Sequence, residues 1–294
     1  MGTFKAMLEP QGLADQLPHP IGFVLGGGGS LGAAQVGMLE ALAEIPLRAH
    51  LVAGTSVGAL NGAVVASDPA GAAHRLSHIW HDLQNDAIMP GGFWARLTTV
   101  LRSRTNLYDS PRIGRLVTEE IGVDHIDELA LPYLAMAVDA DTAEPVRMTD
   151  GPLLSAMLAS SAIPGVFPVV RRGDRDLYDG GLVANTPVLE ALAMGAGSLV
   201  VLDCNYPDRQ ITRPTTVPEA VLYAATIAAR QQLERDLPVA AREVPVLVLP
   251  GPEYLPRLST LDFRGSTPLI ASAYEAGRDF LSTVQVDGPG LYRR

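Results

Sequence analysis

The sequence predicts an α/β protein built on a largely parallel sheet. Short, almost wholly apolar runs recur along the chain, as strands buried on both faces do. Segments with apolar residues at helical spacing lie between them. From residue 21 to 67 the two kinds alternate β-α-β-α, the pattern of a parallel sheet covered by helices.

Residues 1–20, with Pro10, Pro18 and Pro20, read as a loosely packed lead-in. IGFVL (21–25), bounded by Pro20 and four glycines, reads as a buried strand. Leu31, Ala34, Met38, Leu39 and Leu42 then predict a helix within 30–44. HLVAG (50–54) is a second strand and VGALNGAVVAS (57–67) a second helix. Further strands are expected at 131–140, 198–203 and 244–250, and further helices at 110–120, 187–195, 216–237 and 267–284. The helix at 187–195 is closed by Gly195 and Gly197. Without a repeat, linker or charge block, one domain over 21–284 is expected, followed by a tail at 285–294.

Composition excludes several classes. Of 294 residues, 47% are hydrophobic and 18% charged, against roughly 25% charged in ordinary domains, which rules out a disordered chain. Gly 29 and Pro 23 without a repeat rule out collagen-like order. With 22 basic and 32 acidic residues, a net charge of -10 argues against a nucleic-acid partner. The single cysteine, Cys204, allows neither an intrachain disulfide nor a cysteine-based zinc site and reads as a buried apolar residue near a strand end. The N-terminus lacks a basic stretch followed by an apolar run. The apolar stretch 51–66 is interrupted by Thr55, Ser56 and Asn61 and falls short of the roughly 20 residues that span a bilayer. A cytoplasmic protein, or one peripheral to a membrane, is expected.

Two glycine-rich loops carry the chemistry. In GGGGSLG (26–32), Gly27, Gly29 and Gly32 satisfy the dinucleotide fingerprint G-x-G-x-x-G. That fingerprint also needs an acidic residue closing the second strand, and none lies between Ile45 and Gly62. What remains, besides a purely structural glycine turn, is a set of backbone N–H groups at a helix start, suited to a phosphate or a transient oxyanion. The second loop, Gly54-Thr55-Ser56-Val57-Gly58, matches G-x-S-x-G between strand and helix, the setting of an exposed nucleophile. Gly28-Gly29-Ser30-Leu31-Gly32 matches it too, but only Ser56 follows its strand directly, and a helix-capping serine is the plain alternative.

A serine nucleophile needs a base. The histidines are His19, His50, His74, His78, His81 and His125, so none lies late enough for the α/β-hydrolase order. His74, His78 and His81 share a helical face without an H-E-x-x-H pattern and read as solvated, not as a metal site. Asp179-Gly180-Gly181 offers a carboxylate with open flanks, yet D-G-G is also a common turn, and spacing alone leaves both readings open.

The ordered set of Gly27-Gly28-Gly29-Ser30-Leu31-Gly32, Gly54-Thr55-Ser56-Val57-Gly58 and Asp179-Gly180-Gly181 resembles the patatin-like phospholipases. ASSAIPGVFPVV (159–170) and Asn185-Thr186-Pro187 fit the same family, and the resemblance covers roughly 21–205. It implies a three-layer α/β/α sandwich and hydrolysis of lipid acyl esters, of phospholipase A or lysophospholipase type, by a Ser–Asp dyad without metal or cofactor. By position, Ser56 is then the nucleophile and Asp179 the base. The Gly27, Gly28 and Gly29 backbone forms the oxyanion hole, and Gly32, Gly54, Gly58, Gly180 and Gly181 complete the motifs. Leu31 stands where many members carry Arg or Lys. A carboxylesterase for small or neutral esters, or a non-catalytic lipid- or nucleotide-binding protein on the same scaffold, are the alternatives. Residues 86–108 combine Phe93, Trp94 and Leu97 with Arg96, Arg102 and Arg104 and are expected either to form a flap meeting a lipid surface or to pack on the core.

Overall fold

The computed structural model describes residues 12–86, 121–205, 213–215, 217–252 and 263–294. The strands are β1 (Ile21–Leu25), β2 (Leu51–Thr55), β3 (Tyr133–Asp139), β4 (Pro145–Met148), β5 (Val170–Arg172), β6 (Arg175–Asp179), β7 (Ser198–Leu202), β8 (Pro245–Val248) and β9 (Gly290–Tyr292). The helices are α1 (Leu13–Gln16), α2 (Ala33–Ala43), α3 (Val57–Ser67), α4 (Ala72–Asp86), α5 (Leu153–Ser160), α6 (Val188–Ala193), α7 (Val217–Ala240) and α8 (Ser266–Thr283).

The strands form one mixed sheet in the order β5-β6-β3-β2-β1-β7-β8-β9, with β4 also paired to β3. From β3 to β9 neighbours run parallel, and β4, β5 and β6 pair antiparallel. Every residue of β1, β2, β3 and β7 is buried, which is why these strands are continuously apolar. Alternate side chains serve opposite faces. Phe23, Leu25, Val52, Val200 and Leu202 join one core with Met38, Leu60, Leu76 and Phe280 from α2, α3, α4 and α8. Val24, Leu51, Ala53, Leu199 and Val201 join a second core with Val188, Leu233 and Leu237 from α6 and α7. The sheet is thus the middle of three layers.

The expected strands and helices within the described residues are present. The helix expected at 110–120, and the segment 86–108 apart from Asp86, lie outside them. Several elements were not anticipated. α4, foreshadowed only by the helical spacing of His74, His78 and His81, buries Ala72, Leu76 and Trp80 at four-residue spacing. β5, the last strand on its side of the sheet, and β6, between β5 and β3, turn at Gly173 and carry Arg171, Arg175 and Asp176, so β5 lacks an apolar run and only Leu177-Tyr178 reads as a short strand leading to Asp179.

Both chain ends depart from expectation. The last part of the lead-in is docked: Leu17 is buried, and the Ser198 hydroxyl donates to the Pro18 carbonyl at 2.8 Å. Residues 285–294 are no tail, because β9 pairs in parallel with β8, Pro245 opposite Gly290.

Candidate active site

Ser56 sits on the turn from β2 into α3 at φ 55°, ψ −128°, a backbone conformation that a residue with a Cβ adopts only under strain. The turn closes because its flanks are glycine. A Cβ on Gly54 would overlap the Gly58 carbonyl, and a Cβ on Gly58 would overlap that of Leu25. The Ser56 carbonyl starts α3 by accepting from the Ala59 N–H at 2.9 Å. Its own N–H donates to the Ser160 hydroxyl, also at 2.9 Å.

Asp179 ends β6, opposite Ala137 of β3. Its N–H donates to the Ala162 carbonyl at 3.0 Å, so the end of α5 steadies the backbone of both Ser56 and Asp179. The Asp179 carboxylate accepts from the Gly181 N–H at 2.7 Å and from the Ser56 hydroxyl. Burial pushes the carboxyl from 3.8 up to about 6, and those two hydrogen bonds hold it back from rising further. The D-G-G turn thus carries a buried carboxylate. Ser56, and not Ser30, is the serine whose hydroxyl acts on the Asp179 carboxyl.

The glycine loop lies against the same point. A Cβ on Gly27 would stand 3.1 Å from the Ser56 Cβ. One expectation changes here: the Gly27 N–H is already committed to the Asn185 carbonyl at 3.0 Å, which removes it from the free donors. The N–H groups of Gly28 and Gly29 have no acceptor among the described residues. Leu31 is buried in the core, a position where an Arg or Lys charge would be desolvated.

Residues 179–186 tie the parts together. The Thr55 hydroxyl donates to the Ala184 carbonyl at 2.6 Å, Asn185 brackets Gly27, and the Thr186 hydroxyl donates to Asp203 at 2.9 Å. Gly180 and Gly181 permit this packing: a Cβ on Gly180 would meet the Met136 backbone at 2.6 Å. Behind the loop, Gln35 donates to the carbonyls of Gly26 (2.8 Å) and Leu202 (3.0 Å). Asn61 donates to the Gly32 carbonyl and to Gln35, and accepts from Trp80 at 3.0 Å.

The sequence assigns no site role to Ser160, Gln35, Asn61, Asp203 or Asn205. Asp203 and Asn205 follow β7, next to β1, and polar residues at the carboxyl ends of neighbouring parallel strands were the available signal. The histidines stand apart. His74 pairs with His78 on the exposed face of α4, and His19 with His50 beside β2. Cys204 is buried, and its thiol donates to the Gly26 carbonyl. Among the described residues no group of three or more His, Cys, Asp or Glu is placed to hold a metal ion, and no helix is long and apolar enough to cross a membrane.

The sequence profile of the family described as Patatin-like phospholipase matches residues 23–192, more than half of the chain. This chain belongs to that family. The patatin-like match spans all three motifs, from the glycine loop through Ser56 to Asp179. "Patatin-like phospholipase domain-containing protein 7" of Mus musculus is 31% identical over 197 residues, which is 65% of this chain and 14% of that protein. "Lysophospholipase nte1" of Aspergillus terreus is 23% identical over 292 residues, 91% of this chain and 18% of that protein. The chain thus spans less than a fifth of these patatin-like relatives. Among solved structures, VipD from Legionella pneumophila aligns over 90% of this chain and 67% of that one, at 14% identity and a TM-score of 0.47.

Proposed function

We propose that the chain is a serine hydrolase of lipid acyl esters, with Ser56 as nucleophile and Asp179 as its base. The observation that carries this is the contact of a strained serine with a buried carboxylate raised to about 6, beside two N–H groups without acceptors among the described residues. At neutral pH such a carboxylate is ionised yet basic enough to take a proton. The Ser56 oxygen attacks the ester carbonyl carbon as its proton passes to Asp179. The carbonyl oxygen becomes an oxyanion that accepts from the N–H groups of Gly28 and Gly29, with the N-terminus of α3 adding its dipole at Ser56. Asp179 then returns the proton to the departing alcohol, leaving an acyl-serine. Water attacks that ester, Asp179 takes the water proton, and its transfer to Ser56 frees the acid.

Family membership and the relatives named phospholipase and lysophospholipase support a lipid ester as substrate. The test is turnover of a lysophospholipid, a diacyl phospholipid and a series of p-nitrophenyl esters by the wild type and by Ser56→Ala. Fatty acid release from lipid by the wild type alone, with organophosphonate labelling at Ser56, is expected. Turnover confined to short soluble esters would transfer the chain to the carboxylesterases. Absence of labelling would make it a binding protein.

A further inference from the structure

One of the two N–H groups offered to an oxyanion, that of Gly28, is set from behind, by a carbonyl. The N–H of Gly28 and the C=O of Gly27 belong to one peptide unit. In a trans peptide they point in opposite directions within one plane. Whatever holds the Gly27 carbonyl therefore aims the Gly28 N–H.

Two side-chain amides hold it. Asn185 Nδ2 donates to the Gly27 carbonyl at 3.2 Å and Asn205 Nδ2 at 3.1 Å, occupying both lone pairs. On the other side of the residue, the Gly27 N–H donates to the Asn185 carbonyl at 3.0 Å, so Gly27 is fixed fore and aft. The two asparagines are in turn gathered by Asp203. One carboxylate oxygen accepts from the Asn205 N–H at 3.1 Å and the other from the Thr186 hydroxyl, next to Asn185, at 2.9 Å. Asp203 is buried, and its desolvation pushes its carboxyl up against the pull of these hydrogen bonds. A glycine loop has little stiffness of its own, because glycine permits many backbone conformations. Without the two amides, the Gly27–Gly28 peptide could rotate its N–H away from the site. With them, the N–H is fixed in direction, and it is also polarised, because a hydrogen bond accepted at C=O strengthens the N–H of the same peptide as a donor.

We propose that Asn185 and Asn205 are positioning residues that aim and polarise the Gly28 N–H as the oxyanion donor. This rests on the hydrolase reading above and assigns a role to two residues outside the dyad. Neither touches the reacting atoms, so their effect appears in transition-state stabilisation and not in ground-state binding.

The experiment compares the wild type with Asn205→Asp, Asn205→Leu and Asn185→Ala on a soluble p-nitrophenyl ester. A trifluoromethyl ketone, whose adduct with Ser56 bears an oxyanion, serves as the second readout. Removal of one whole oxyanion-hole donor lowers kcat by about 100- to 1000-fold. Loss of one of two anchors behind a donor is expected to lower kcat by about 10- to 100-fold with KM within about 3-fold. The ketone's inhibition constant should weaken by a similar factor. Asn205→Asp keeps the shape but not the donor, so it should behave like Asn205→Leu. In each variant the Gly28 amide ¹⁵N resonance should move upfield, because a lost hydrogen bond at the preceding carbonyl leaves that nitrogen more shielded. Unchanged kcat, a rise in KM alone, or an unchanged ketone constant beside a lowered kcat would each overturn the proposal. The Gly28 resonance reads the geometry even if the wild type hydrolyses nothing. An inactive, unlabelled wild type whose variants show the shift refutes the hydrolase reading while the positioning of the peptide stands.

Discussion

Replacing Asp179 by Asn exchanges one atom and removes both a proton acceptor and a buried charge. The two effects are expected to have opposite signs. Burial raises the carboxyl from 3.8 to about 6, so above pH 6 the ionised group disfavours the folded state by about 3 kcal/mol. The sign follows from proton counting. Between pH 4 and 6 the folded chain keeps a proton that the unfolded chain has released, so stability falls as pH rises through that window and is level above it. Asparagine has no such dependence, and its carbonyl oxygen still accepts from the Gly181 N–H. The variant should match the wild type near pH 4, gain through pH 6, and melt higher by on the order of 5 °C at pH 8. Scanning calorimetry from pH 4 to 8, with ester turnover alongside, measures both sides. Hydrolysis should fall by about 100- to 10000-fold, the range for loss of a general acid-base group. A variant less stable than the wild type at pH 8, or a stability difference that does not change with pH, would refute the assignment of the raised value to desolvation. Retained turnover would refute the base.

Three further outcomes are expected. In the wild type, kcat/KM should rise tenfold per pH unit below an inflection at about 6 and level off above it, and an inflection near 4 would exclude Asp179 as the titrating group. Gly58→Ala places a Cβ against the Leu25 carbonyl beneath the serine turn and should lower stability by about 3–5 kcal/mol or abolish soluble expression, read by urea unfolding, whereas a well-folded variant would contradict the packing of that turn. Dialysis against EDTA should leave hydrolysis unchanged, since backbone N–H groups supply the electrostatic stabilisation, and a loss restored by one added metal would overturn this.

How much of the site was legible follows from the range of the interactions. The serine turn is local: Gly54 and Gly58 flank a residue whose strained backbone they alone permit, so five consecutive residues announce it. Asp179 is not local. Its D-G-G segment reads as a turn or as a base, and only the pairing of β6 with β3 brings its carboxylate to Ser56. The edge strand β5 escaped notice for a related reason, since a strand exposed at an edge carries charges and lacks the apolar run that marks a buried one.

By itself the sequence determined the alternation of strand and helix, the buried parallel centre and the tight turn that carries Ser56. These depend on hydrophobic periodicity and on sterics between near neighbours, both of which are written in consecutive residues. The tertiary structure decided which N–H groups of the glycine loop are free. It took Gly27 out of the donor set through a carbonyl 158 positions along the chain, and held the Gly27 carbonyl through Asn205, 178 positions along. Hydrogen-bond partners that distant are assigned only when the sheet brings the ends of β1 and β7 together, and no pattern in either segment names the other.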